Sequence, residues 1–135
     1  MTKSLGNGGV DKLRIEICEL IVGDSAYEQV DWSGITVVAA FGRGTSSLWG
    51  WVYTADGGWE SNMPDSWDVL ERVAELRAAM SAQGDASWKS CLLQINRSDL
   101  VLRADFDYKD EGRWNITVAS LDQIAEQLRP RGVRS

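Results

Sequence analysis

A chain of 135 residues, 44% apolar and 25% charged, has the size and composition of one globular domain with a single core. Its formal charge of −6 is uneven: with Arg129, Arg131 and Arg134 of the end "RPRGVRS" set aside, residues 1–128 carry 11 basic and 20 acidic groups, a net of −9. Such a body repels nucleic acid and anionic lipid and attracts cationic proteins.

The start, "MTKSLGNGG", lacks the apolar segment of a signal peptide, and no run of about 18 apolar residues follows, so a cytoplasmic protein that neither crosses nor binds a membrane is expected. Residues 1–9, rich in Gly, Asn and Ser, read as a disordered tail. From Val10, apolar residues recur at three- and four-residue spacing (Val10, Leu13, Ile17, Leu20, Ile21), the mark of an amphipathic helix that Gly23 stops. Ile15, Cys18 and Val22 broaden the stripe, as though the helix were covered on more than one side.

"ITVVAAF" (35–41) and "LWGWVYTA" (48–55), separated by "GRGTSS", read as a hairpin, with a short third strand about Trp59. Trp49, Trp51 and Tyr53 share one face of the second strand. Pro64 and Asp65 announce a second helix, with Asp65 or Ser66 as N-cap. Val69, Val73, Leu76 and Met80 form its buried stripe, widened by Trp67, Leu70 and Ala74, and Gly84 ends it. "WKSCLLQI" (88–95) and "LVLRADFDY" (100–108) make a second hairpin about the turn "NRSD". "SLDQIAEQL" (120–128) opens with a capping box, Ser120 and Gln123, and buries Leu121, Ile124 and Leu128 before Pro130. The expected fold is α+β: one domain over 10–129, three helices on one face of a four- to five-stranded antiparallel sheet, order α-β-β-(β)-α-β-β-α, and a basic tail over 130–135.

The chain holds no histidine, which excludes Ser–His–Asp and Cys–His catalysis and His-ligated zinc. Cys18 and Cys91 lie apart in apolar surroundings and read as reduced packing residues. "GNGG" and "GRGTSS" lack the lysine and context of a phosphate loop and are turns. No pattern calls for a cofactor or a metal.

Two features point to binding. In "LVLRADFDYKDEGRW", Leu100, Leu102, Ala104, Phe106 and Tyr108 alternate with Arg103, Asp105, Asp107 and Lys109, so the strand buries one face and shows charge on the other. Asp110 and Glu111 extend that acidic rim. Second, a sheet covered on one side leaves a face of the Trp49/Trp51 strand open, and exposed tryptophan beside carboxylates is the composition of a protein-binding hot spot. Trp49, Trp51 and Trp59 are its candidate anchors. The same aromatic face could stack on sugars or pair with a second copy.

The run "WKSCLLQI…LVLRADFDYKDEGRW", preceded by the helix "SWDVLERVAELRAAM", resembles the C-terminal half of YezG-like immunity proteins. The likeness lies in a helix ending in a leucine-and-basic segment, a tryptophan entering a strand, and an F-x-Y-x-D pattern followed by acid and tryptophan, here Phe106, Tyr108, Asp110 and Trp114. The resemblance implies an antitoxin that binds and blocks a basic, nuclease-type toxin, with no catalysis of its own. It carries no site residue over, since immunity surfaces diverge with their toxins. The competing readings are a small acidic secretion chaperone, a Trp-rich carbohydrate-binding module and, last, a carboxylate hydrolase using Asp105 and Asp107.

Overall fold

A computed structural model describes residues 2–42, 46–82, 87–109 and 121–130. Helix α1 spans Thr2–Val22 and a 3₁₀ turn Ser25–Tyr27; strands β1 (Trp32–Phe41), β2 (Ser46–Thr54) and β3 (Trp59–Ser61) follow. Then come α2 (Trp67–Ala82), β4 (Ser90–Asn96), β5 (Leu102–Asp107) and α3 (Leu121–Gln127). The fold is α+β, with a five-stranded antiparallel sheet of order β3-β2-β1-β4-β5.

The helix α1 starts at Thr2, so it runs through the stretch whose composition suggested a disordered tail. Once the apolar stretch from Val10 nucleates a helix, each further turn adds a hydrogen bond per residue fixed, and this carries it across low-propensity glycines. It ends where Gly23 places it, with the Gly23 N–H on the Glu19 carbonyl at 3.0 Å. Asp24 then ties this end to the start of α2. Its buried carboxylate accepts from the backbone N–H of Ala26 (2.9 Å), Asp65 (2.8 Å) and Ser66 (3.1 Å). Ser66 is the N-cap of α2, its Oγ accepting the Asp68 N–H at 3.1 Å.

One correction governs the rest. The helices do not share a face. On one side of the sheet α1 and α2 bury Ile35, Val37, Ala39, Val52, Cys91, Leu93 and Ile95 together with Ile17, Ile21, Val73, Leu76 and Trp88. On the other, α3 lies over Val38, Trp51, Tyr53 and Leu92, and adds Ala125 and Leu128. "ITVVAA" is therefore buried on both faces, which is why it shows no polar alternation.

α3 is fastened by polar groups of the sheet. Tyr53 Oη donates to the Ala125 carbonyl (2.6 Å), while Thr36 Oγ1 (2.6 Å) and Gln94 Nε2 (2.9 Å) donate to the Leu128 carbonyl. These carbonyls belong to the last helical turn, where no intrahelical donor reaches them. Arg129, the last residue of the expected domain, packs its guanidinium 4.9 Å from the Tyr53 ring centre and pairs with Glu126 at 2.7 Å. Pro130 is buried too, so the domain reaches at least that far. Residues 131–135, and Gly84 and Ser120 of the expected helix boundaries, lie outside the described residues.

Gly50 explains the "WGW" triplet: a Cβ there would stand 2.7 Å from the Thr36 carbonyl oxygen and 3.1 Å from that of Asn62. No side chain fits between β1 and the segment that follows β3.

Candidate functional site

The expected anchors divide. Trp51 is fully buried beneath α3, so it is withdrawn as a contact residue; the face left open in a one-sided sheet is closed here. Trp49 and Trp59 are half-buried at the margin of the same cluster. The indole N–H groups of Trp49 and Trp51 are buried without a hydrogen-bond partner among the described residues.

The strand carboxylates lie where the alternation puts them. Leu102 is buried and Ala104 and Phe106 pack on the α1–α2 core, while Arg103 and Asp105 are exposed on the α3 side and Asp107 is half-buried. Asp105 pairs in register with Leu92, Leu92 with Val38, and Val38 with Trp49, so Asp105 and Trp49 share a rung three strands apart, about 14 Å. The alternation fails at its ends, for Leu100 and Tyr108 are exposed. Arg103 does not neutralise Asp105; it pairs with Asp99 at 2.7 Å, and that hydrogen bond holds the Asp99 carboxyl below its usual range. Asp107 Oδ1 accepts the Lys109 N–H at 2.9 Å. Asp110 and Glu111 lie outside the described residues.

A second acidic surface, missed in the sequence, lies between α1 and α2. A groove of about 320 Å³ is lined by Glu16, Glu19, Leu20, Asp68, Glu71 and Arg72. Its one lining cation is engaged: Arg72 pairs with Glu75 at 2.8 Å and reaches Glu16 at 3.8 Å. At the start of α2 stands Trp67, 76% exposed, one turn before Glu71 and therefore on the same side of the helix. The expectation that Trp67 widens the buried stripe is corrected: at the first position of α2 its ring stands in solvent, although Val69 and Leu70, two and three residues on, are buried.

Among the described residues the Asp56, Asp99 and Glu126 carboxyls are held below their ordinary range, each chiefly by a hydrogen-bond donor (Thr54, Arg103 and Arg129). Both cysteines are free and buried, and burial pushes the Cys91 thiol up to about 12, far from a nucleophile. Among the described residues no three of Cys, Asp and Glu gather as metal ligands, and no helix is long and apolar enough to cross a membrane.

Fold and surface together define an α+β protein with an acidic exterior and a tryptophan offered to solvent. No protein-family model matches the chain, and neither does any curated protein.

Proposed function

We propose that this protein is an immunity protein. It neutralises a cognate basic toxin of the nuclease type by stoichiometric binding in the cytoplasm, as the resemblance to YezG-like proteins implies. The observation that carries the reading is the α1–α2 groove, where Glu16, Glu19, Asp68 and Glu71 converge with only the engaged Arg72 among them, and exposed Trp67 stands beside it. Nucleases hold phosphate with Lys and Arg, and a carboxylate surface can occupy that same site and speed encounter by long-range attraction. Trp67 supplies an aromatic anchor next to the charge, and its face can take a cation.

The test has two stages. The full chain is used as bait in its native lysate at low and high salt, and each captured protein is then expressed alone and together with it. The expected result is one basic partner, bound at low salt, released at high salt, toxic alone and harmless in coexpression. Capture of no such partner, or toxicity that coexpression fails to relieve, overturns the reading.

A further inference from the structure

Across α1 from the acidic groove lies another of about 440 Å³, walled by Arg14, Ile15, Cys18, Glu19, Leu100 and Val101. Its chemistry is different. Ile15 is 60% exposed, and Leu100 and Val101 about half, so three branched aliphatic side chains meet water around one concavity. Apolar residues scattered singly on a surface need no explanation; a concave group of them does.

Leu100 adds an independent sign. Its φ is 53°, in the left-handed region that Gly and Asn enter readily and other L-residues enter at a cost. The turn holds it there: the Leu100 N–H donates to the Asn96 carbonyl at 2.8 Å, and the Val101 N–H to Asp99 Oδ1 at 3.0 Å. Cys18 Sγ donates to the Leu100 carbonyl at 3.3 Å. A left-handed leucine carries a backbone cost, and with half of its surface left in water burial offsets that cost only in part.

The two grooves share Glu19, and the ridge between them is the Ile15–Glu19 line of α1, one turn apart. We propose that one segment of the partner straddles this ridge: an amphipathic, cationic segment whose Leu- or Met-sized side chains seat among Ile15, Leu100 and Val101. Its Lys and Arg residues lie against Glu16, Glu19, Asp68 and Glu71. The inference rests on the reading of the protein as a binder of a basic partner, and charge complementarity selects the occupant. A second copy would bring together two bodies of formal charge −6. Arg14 on the apolar wall orients the segment, since it repels a partner cation there and favours one on the Glu19 side.

The probe is a synthetic helical peptide of about 14 residues with Leu on one face and Lys on the other, beside a Lys/Ser peptide of equal charge. Binding to the full chain is read by fluorescence polarisation at about 50 and 300 mM salt, with unfolding temperatures and sedimentation recorded for every variant. The Leu/Lys peptide should bind one to one and more tightly than Lys/Ser. Ile15→Gln with Leu100→Asn should weaken it by about tenfold or more at both salts, with an unfolding temperature unchanged or raised, because Asn relaxes the backbone. Glu19→Gln with Glu71→Gln should weaken it chiefly at low salt. If both peptides bind equally and the Ile15/Leu100 variant keeps wild-type affinity, the groove is not a docking site and the basic-partner reading stands. If neither peptide binds at low salt, both fall. A variant that loses thermal stability makes Ile15 and Leu100 fold residues, and self-association abolished by it assigns the groove to a second copy; either overturns the proposal.

Discussion

Toward α1 and α2 the sheet presents a mainly aliphatic surface, Ile35, Val37, Ala39, Val52, Leu93 and Ile95, closed by apolar side chains of both helices, with Trp88 set between the rings of Phe41 and Phe106 at one end. Toward α3 it presents Trp51 and Tyr53 with Thr36 and Gln94, and the closure there is partly a set of hydrogen bonds to helix carbonyls. The first contact is non-directional and follows the area buried. The second fixes a short helix of seven residues in one register, because those donors meet the Ala125 carbonyl and the Leu128 carbonyl just past its end. A helix that short has little stability alone, so its place depends on the sheet. The side that binds its helices by area has also left a groove along each flank of α1, one against α2 and one against the turn before β5, whereas on the α3 side Trp51 and Tyr53 are taken up in closure.

The widest test of this contrast replaces the large aromatic residue of each face. Trp88 on the α1–α2 side and Trp51 on the α3 side are both fully buried, so Trp88→Ala and Trp51→Ala should each cost about 3–5 kcal/mol in denaturant unfolding. A Trp51→Ala variant within about 0.5 kcal/mol of wild type would mean that α3 does not cover the second face. Trp51→Phe should cost much less than Ala, since it also removes an N–H that is buried without a partner among the described residues.

Next in size is the polar latch. Tyr53→Phe deletes the hydrogen bond to Ala125 and should cost about 1 kcal/mol at neutral pH. Burial holds the Tyr53 phenol well above its ordinary range in the folded protein. The folded state therefore keeps a proton that the unfolded chain gives up near pH 10, so this stability is whole below about pH 10 and fades as pH rises further. Burial pushes Cys91, on the other face, up to about 12, so its contribution fades from about pH 8.5 upward toward 12. Stability against pH should thus fall earlier for Tyr53→Phe, which keeps the thiol, than for Cys91→Ala, which keeps the phenol. Identical alkaline limbs would remove the distinction.

Element order was legible because it is written in local signals: Gly23 ends α1, Ser66 caps α2, and the apolar runs mark β1, β2 and β4. The two-sided burial was also legible in principle, since "ITVVAA" and "CLL" carry no alternation. Which helix closes which face was not, for Thr36 meets Leu128 across 92 residues. Helix geometry alone could not have placed Trp67 and Ile15 at the surface: each stands two residues, about 200°, before one buried position but three residues before another, Leu70 and Cys18, whose neighbour it is. The acidic groove was out of reach. Glu16 and Glu19 meet Asp68 and Glu71 only because α1 packs on α2, whereas Asp105 and Asp107 drew the eye by standing together in the chain.

The smallest effects on folding fall on these two acidic surfaces, and they decide which side of the sheet would meet the proposed partner. Asp105→Ala with Asp107→Ala alters the α3 side, and Glu16→Gln with Glu19→Gln and Glu71→Gln the helix side; Trp67→Ala removes the exposed ring and should shift stability by no more than about 0.5 kcal/mol. Charges at the rim of an interface act mainly on association rate and its salt dependence, and an anchoring ring acts on dissociation. The helix-side variant should slow association with the proposed basic partner by about tenfold at low salt and flatten its salt dependence, while the strand variant slows it by about twofold. Trp67→Ala should speed dissociation and leave the salt slope alone. The reverse ranking would move the contact to β5 and the rung that Asp105 shares with Trp49. In that geometry the partner would lie beside α3, and Tyr53→Phe, which loosens α3, would then weaken binding as well as folding.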